Sequence, residues 1–279
     1  MSKVWFITGA GRGFGSEFAK SALERGDKVA ATARNTAALD GLVTAHGDAV
    51  LPLQLDVTDR NAVFAAVEQA HQEFGRLDVV VNNAGYGLFG AVEEISESQL
   101  RDQLEVNLFG VFHVTQAVLP ILREQGAGHI IQISTIGGVG AFPTLGGYHA
   151  SKWALEGMTE SLAQETAGFG IKVTLVEPGG YATDWAGSSA THADPQSQYE
   201  PLHTAMAEQR KNTAPGMVGD PVAAGQAILK LADAEQPPLR VFFGTMPTQL
   251  APRLYQQRLK TWEQWKWLSV EANGAVPQQ

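Results

Sequence analysis

The sequence predicts a doubly wound α/β fold, a seven-stranded parallel sheet with helices on both faces. Three observations carry that expectation. Seven short runs rich in β-branched and aromatic residues recur along the chain, and most are apolar throughout instead of alternating, the pattern of strands buried on both faces. Segments with helical spacing lie between the runs, and strands that alternate with helices pair in parallel. The first run breaks into glycines just before a helical segment, and in such folds the ligand sits outside the carboxyl ends of the strands.

In chain order, VWFIT (4–8) opens the sheet, and ITGAGRGFGSEF leads from it into a helix through GSEFAKSALERG. KVAATA (28–33) and AVLPLQL (49–55) are the second and third runs, and RNAVFAAVEQAHQEFG supplies the next helix. After LDVVVN (77–82), Ser96 with Gln99 forms a capping box for a helix that continues through LRDQLEVNLFGVFHVTQAVL, with Pro120 marking its far end. HIIQIS (129–134), IKVTLVE (171–177) and LRVFFG (239–244) complete the seven. The alternation lapses over residues 179–221, and an excursion of that length in a compact domain is usually a lid or binding segment. The tail, about 246–279, carries three of the six Trp residues and then turns polar. One packed unit over residues 1–279 is the expected organisation.

At 44% hydrophobic and 18% charged residues, the chain has the material for a core and no disorder-type bias. A net charge of -9 gives no basic footprint for nucleic acid or an anionic membrane. Zero Cys removes disulfides, thiolate catalysis and Cys-based metal sites, and the seven His show no HExxH-type spacing, so no metal is expected. The short apolar run near the N-terminus is too brief for a secretory core or a membrane span, which points to the cytoplasm.

The loop after the first run places Gly9, Gly13 and Gly15, with Arg12 and Phe14 between them, where a turn meets a helix start. Glycines there give a tight turn, close backbone approach to a diphosphate and close helix packing, while free N–H groups at the helix start favour an anion. The spacing is Gly-x-x-x-Gly-x-Gly, unlike the GxGxxG dinucleotide fingerprint, and a tight turn without a ligand would use the same residues. The second run ends AATARN, with Ala33 and Arg34 where folds that hold NAD commonly place an Asp or Glu for the ribose 2′-hydroxyl. Arg12 and Arg34 together could fork around a 2′-phosphate, so NADP(H) is the expected cofactor and NAD(H) the alternative. Asp56, followed by Val57, ends the third run, where its carboxylate could accept from an adenine amino group or, with Thr58, merely cap the next helix. NNAG brings Asn82, Ala84 and Gly85 to the end of the fourth run, small residues that let backbone pass close to an adenosine ribose or simply form a turn.

Tyr148 and Lys152 are i and i+4 and share one helix face. A nearby ammonium favours the phenolate and draws a phenol down from its reference pKa of about 10, which suits a general acid or base for a carbonyl oxygen. A surface helix pair would show the same spacing. Taken as a set, TGAGRGFG, NNAG, VNLFG (106–110), a hydroxyl after the fifth run, YHASK (148–152) and PGGYAT (178–183) stand in the order and approximate spacing of the short-chain dehydrogenase/reductase family. The chain resembles that family over about its first 185 residues plus LRVFFG, and looks like the single-domain branch with NADP-using hydroxysteroid and retinol dehydrogenase-like members.

The resemblance implies a Rossmann-type fold and a tetrad of Asn107, a Ser-type hydroxyl, Tyr148 and Lys152. Tyr148 would exchange the proton with the substrate oxygen, and Lys152 would bind the nicotinamide ribose while lowering the Tyr pKa. Asn107 would serve a water site in a bent helix, against the plainer reading of a buried amide satisfied by backbone. Pro178, Gly179, Tyr181 and Thr183 would hold the nicotinamide carboxamide, through backbone at Tyr181 and the hydroxyl of Thr183. The family's hydroxyl sits thirteen residues before the Tyr, which selects Thr135. Ser134 is one residue out of alignment, and adjacent residues of a strand end point to opposite faces. Thr is a departure from the usual Ser: it donates the same hydrogen bond, but its methyl stiffens χ1 and takes space beside a substrate carbonyl.

Candidate pocket residues are Tyr86, Leu88, Phe89, Phe142, Pro143, Trp153, Tyr181 and Trp185, with Ser134 as a further candidate substrate contact. They suggest an apolar or aromatic ketone or aldehyde and its alcohol, although core or subunit contacts would use the same aromatics. The expected function is therefore an NADP(H)-dependent oxidoreductase acting on a small molecule. An epimerase or dehydratase with the same Tyr-Lys chemistry would need a larger C-terminal domain than the tail supplies, and a nucleotide sensor without turnover would not need an intact Tyr, Lys and Asn. No nucleic-acid or membrane partner is expected, and the resemblance implies a homodimer or homotetramer paired through the helices bearing Asn107 and Tyr148.

Overall fold

A computed structural model describes residues 2–187, 189–212 and 216–274, so positions 188 and 213–215 of the excursion and 275–279 of the tail lie outside the described residues. The chain runs β1 (Val4–Ile7), α1 (Gly13–Glu24), β2 (Lys28–Ala33), α2 (Asp40–His46), β3 (Val50–Gln54), α3 (Arg60–Phe74) and β4 (Val79–Asn82). It continues through β5 (Leu88–Phe89), α4 (Glu97–Leu104), α5 (Gly110–Gln125), β6 (Gly128–Ile133), α6 (Gly146–Thr166) and β7 (Ile171–Pro178). The last elements are β8 (Thr191–His192), α7 (Glu200–Lys211), α8 (Pro221–Asp233), β9 (Arg240–Phe243), α9 (Thr245–Gln264) and α10 (Lys266–Asn273). All seven expected runs are strands of one sheet, in the order β3-β2-β1-β4-β6-β7-β9 and parallel throughout.

The apolar runs are explained by two cores, one on each face. Trp5 and Ile7 of β1, Val29 of β2, Val79 and Val81 of β4 and Ile131 and Ile133 of β6 face one layer with Phe18 of α1 and Ile228 of α8. Their alternate neighbours Phe6, Ala30, Val80 and Ile130 face the other, with Val63 and Val67 of α3 and Val114 and Val118 of α5. A strand with helices over both faces keeps no solvent side, so period-two alternation is lost. The order reverses between β1 and β4, and the carboxyl ends of the strands meet there, which fixes the location of the site.

The helix opened by Ser96 has both halves of the capping box, then one π-helical turn over Glu105–Phe109, and continues as α5 to Gln125. Pro120 therefore lies inside the helix and does not end it. Its ring and Gln116, whose carbonyl loses an N–H partner, both lie on the exposed face, where water can satisfy that carbonyl.

The excursion is structured. Its β8 pairs with β5 in a two-stranded parallel ribbon, and its α7 is pinned by the buried carboxylate of Glu94, which accepts from Ala91 N, Gln196 N and His203 Nε2. The tail folds back as α9, which seals a small apolar cluster of Ile136, Val139 and Ala251 with Phe142, Phe242, Met246 and Leu250.

Candidate active site

The glycine loop begins where β1 ends, and what holds it is Thr8 and Asn83. The Thr8 hydroxyl accepts from the backbone N–H of Asn83 (2.9 Å) and of Ala84 (3.0 Å), while the Asn83 amide donates to Thr8 O (3.0 Å) and Gly9 O (3.2 Å). Asn82, named for the close approach of its backbone, lies within β4 opposite Gln132, buried, and its side-chain amide makes no hydrogen bond among the described residues. The strand period sends successive side chains to opposite faces, so the neighbouring Asn83 is the one that reaches the loop. Gly15 is required by space, because a Cβ there would stand 2.3 Å from Gly9 O. Gly9 is required by conformation, with φ +66°. Phe14 stacks on Phe18 and meets Tyr181 edge-on at 4.7 Å, which lays the PGGYAT segment across the start of α1.

Gly11 shows how the two expected guanidiniums are related. A Cβ on Gly11 would lie 3.4 Å from the Ala33 side chain and 2.9 Å from that of Ala38, so the loop presses on the end of β2. Arg12 and Arg34 are the next residues along each segment; both are exposed, and neither side chain has an ion-pair or hydrogen-bond partner among the described residues. Asp56 makes a local turn, accepting from Thr58 N (3.0 Å) and Thr58 Oγ1 (2.8 Å), and the cap of α3 is Asp59, which accepts from Ala62 N, so neither Asp56 nor Thr58 caps that helix. Val57 turns its side chain into the core against Gly110.

Tyr148 and Lys152 lie on the inner face of α6, both buried. Lys152 Nζ donates to Ile133 O at the end of β6 (2.7 Å) and stands 6.0 Å from the centroid of the Tyr148 ring. Burial pushes the Lys152 ammonium down to about 8, opposed by the carboxylate of Glu156. Burial likewise pushes the Tyr148 phenol up, a correction to the lowering expected from Lys152, and it is the Thr135 hydroxyl facing the phenol that opposes the rise. Thr135 also accepts from Gly137 N (3.1 Å), fixing its rotamer at the head of the turn that follows β6. Ser134 points the other way, donating to Glu156 in the interior. As a substrate contact Ser134 is thus a correction, for the geometric reason that separates neighbours at a strand end.

Asn107 sits in the π-helical turn, fully buried, with its amide shared three ways. Its Oδ1 accepts from Tyr86 N (3.1 Å), and its Nδ2 donates to Tyr86 O (3.0 Å) and Ser151 Oγ (3.1 Å). Ser151 Oγ in turn donates to Tyr148 O (2.7 Å). The side chain is therefore a buried amide satisfied by its neighbours, and it ties the loop after β4 to the turn of α6 that carries Tyr148. Ser151 and Asn83 were missed from sequence; their signal was polarity at positions packed between motifs.

Across Tyr148 lies Trp185, with ring centroids 5.0 Å apart, and Trp185 packs in turn on Phe89 at 5.3 Å. Phe142 meets His149 edge-on and joins the cluster beneath α9. Trp153 does not face the site: it is 44% exposed, donates to Gly137 O (2.9 Å) and lies under Arg258 of α9. As a substrate contact it is a correction, because five residues along a helix carry it well round from the Tyr148 face.

The sequence profile of the family described as short chain dehydrogenase matches residues 3–194. The chain belongs to that family. Among relatives of this short-chain dehydrogenase is Oxidoreductase BOA17 of Botryotinia fuckeliana (strain B05.10), 44% identical over 97% of this chain and 99% of that protein. A solved short-chain dehydrogenase from Streptomyces avermitilis superposes with a TM-score of 0.90 at 37% identity, covering 97% of this chain and 98% of that one. Solved relatives hold either nicotinamide cofactor. One from Burkholderia phymatum is in complex with NAD (TM-score 0.79, 26% identity, 93% and 95% covered), and one from Burkholderia cenocepacia J2315 with NADP (0.75, 27%, 94% and 97%).

The residues of this oxidoreductase fit a nicotinamide dinucleotide. The N-terminus of α1 has no side-chain cap and no acidic residue in its first turn, so its free N–H groups are left for an anion. A Cβ on Gly13 would meet nothing within 4 Å, leaving open space beside those groups. Lys152 has three donors and spends one on Ile133 O. Gly179 N donates to Phe243 O, Ala182 N to Gly219 O and Thr183 N to Tyr181 O, whereas the Tyr181 N–H and the Thr183 hydroxyl have no partner among the described residues and are left for a ligand. No group of three His, Asp or Glu that could hold a metal occurs among the described residues.

Proposed function

We propose that this oxidoreductase interconverts an apolar or aromatic ketone or aldehyde and its alcohol, with Tyr148 as general acid and base and NADP(H) preferred over NAD(H). The observation that carries the reading is one buried phenol at the carboxyl edge of the sheet with the Thr135 hydroxyl on it and the Lys152 ammonium 6.0 Å from its ring, while the second hydroxyl of the pair is turned away.

NADP(H), when bound, supplies or accepts the hydride. In reduction the Tyr148 hydroxyl gives its proton to the carbonyl oxygen, and the Lys152 ammonium stabilises the phenolate that remains. Thr135, held by Gly137 N–H, has its hydroxyl on Tyr148 and would turn that O–H to the carbonyl oxygen when substrate enters, holding it against Tyr148. Asn107 and Ser151 fix the first turn of α6, so that the phenol does not swing as the proton leaves. Trp185 and Phe89 give the substrate side an aromatic wall and exclude water from the proton transfer. Unpartnered Arg12 and Arg34, on segments that press together at Gly11, support a preference for a cofactor carrying a 2′-phosphate.

The test is NADPH and NADH binding by fluorescence, with turnover of a panel of aryl and alicyclic ketones. NADPH should bind tighter, and Tyr148→Phe should lose roughly 10²–10⁴-fold in turnover while keeping the cofactor. Absence of binding by either cofactor would sink the reading, and tighter NADH binding would sink the role of the two arginines. We further infer that copies pair through α5 and α6, supported by Phe109 and Phe112 lying exposed beside that helix pair; a monomer by light scattering overturns this.

A further inference from the structure

We propose that Glu156 is the buried counter-ion that keeps Lys152 protonated, held for that task by Ser134 and Arg240, so that the two adjacent hydroxyls after β6 serve the two members of the Tyr-Lys pair. This rests on the reading of Tyr148 and Lys152 given above.

Glu156 is one turn beyond Lys152 on α6, on the same inner face, and both are buried. Its Oε1 accepts from Ser134 Oγ, and its Oε2 from Arg240 Nε of β9 (3.1 Å). Ser134 follows Ile133, whose carbonyl takes the Lys152 ammonium (2.7 Å), so ammonium and carboxylate dock on consecutive residues at the end of β6. The fit is close: a Cβ on Gly138 would stand 2.7 Å from Ser134 Oγ and 2.8 Å from Glu156 Oε1. Among the described residues Lys152 and Glu156 form no direct ion pair, so the carboxylate acts on the ammonium across the end of β6; a buried ammonium gives up its proton less readily with a fixed carboxylate near it.

The other charged and titratable groups around the pair are Tyr148 and Glu160 on α6, Glu177 on β7 and Arg240 itself, which reaches Glu156, Glu160 (2.9 Å) and Glu177 (3.4 Å). Burial raises both interior carboxyls. Glu177, beside Glu156 and 3.4 Å from Arg240, goes up to about 8 by burial with Glu156 adding to it, while Ser134, Arg240 and Lys152 oppose the rise of Glu156. Of these carboxyls, Glu156 is the one whose charge opposes the fall of Lys152. Glu156 touches neither substrate nor cofactor and is a positioning residue for the charge on Lys152.

The experiment reads Lys152 directly in the cofactor-free protein, by NMR titration of labelled lysine side chains with the Lys152 signal assigned by its loss in Lys152→Met. Glu156→Gln should lower the Lys152 midpoint by about one unit. Glu156→Asp should restore part of the loss, and the milder Ser134→Ala should shift it in the same direction by less. NADPH binding and turnover then lose their high-pH limb at correspondingly lower pH. An unchanged Lys152 midpoint in Glu156→Gln, with native near-ultraviolet dichroism, overturns the inference. If Glu156→Gln is unfolded, an unchanged midpoint in Ser134→Ala does so. NADPH binding to the wild type decides the functional reading separately, because the lysine titration needs no cofactor.

Discussion

Two adjacent hydroxyls, Ser134 and Thr135, leave β6 in opposite directions, and the division sets what their substitutions should do. Thr135→Ala removes the donor beside Tyr148 and should cut kcat by roughly 10²-fold across the pH range, whereas Thr135→Ser keeps the hydroxyl and should retain most of the rate. Steady-state kinetics on any accepted ketone would check it; equal rates for Ala and Ser at 135 would mean the hydroxyl is idle. At the cofactor's other end Arg34→Ala removes one arm of the proposed phosphate fork. It should weaken NADPH by roughly tenfold or more, the scale of a charged hydrogen bond of 1.5–3 kcal/mol, and leave NADH unchanged. Titration with both cofactors separates this from a general loss of binding.

At the scale of elements, the strands and the capping box at Ser96 were legible because their causes are local: buried apolar runs, and two side chains that meet one helix end. Pro120 was misread because its exposed position, which lets water replace the lost hydrogen bond, is a tertiary fact. Asn83, Ser151 and Glu156 were invisible for the same reason, since each acts between elements distant in sequence. The glycine loop shows local and tertiary demands together. Gly15→Ala would drive a methyl to 2.3 Å from Gly9 O, a rigid backbone atom, so the loop must open. The expected cost is about 1–3 kcal/mol of stability, read by urea unfolding, with loss of NADPH binding. The sheet also sets a pH dependence. His129 on β6 is pushed down to about 3 by burial, with Lys172 and Lys3 adding to it, so in its free form it contributes stability above the ordinary histidine pKa that is lost as pH falls from there towards about 3. Glu177 on β7 is raised to about 8 by burial, with Glu156 adding to it, so its contribution is present below the ordinary carboxylate pKa and is lost as pH rises from there to about 8. Thermal unfolding of Glu177→Gln should therefore show less loss of Tm between pH 5 and 8 than the wild type; parallel curves would contradict the assignment.

Over the whole molecule, the site depends on a segment that the family profile does not reach. The profile match ends at residue 194, yet α9 packs Ala251 and Leu250 on Ile136 and Val139, directly after Thr135, and sets Pro247 against Gly179, where a Cβ would lie 2.8 Å from its ring. Leu254 fills the space beside Gly140, and Arg258 lies 5.0 Å over Trp153, whose Nε1 holds Gly137 O. These contacts close the back of the turn that aims Thr135 and of the segment that carries Tyr181 and Thr183. By contrast α10 leaves Trp267, Leu268 and Val270 exposed and has no buried residue. The two parts of the tail should therefore behave differently when removed. Ending the chain before Lys266 should leave Tm within about 2 °C, the range of surface changes in a protein of this size. Ending it before Thr245 uncovers Ile136, Val139 and Phe242 and should lower Tm on the order of 10 °C, at about 1.5–3 kcal/mol for each large side chain returned to water. Turnover should fall with the second cut more than NADPH binding does, because the glycine loop and α1 pack on α8 and β2 and keep their support, while the Thr135 turn loses its own. A truncation before Thr245 that keeps both Tm and turnover would show that the Thr135 turn is held by α6 alone.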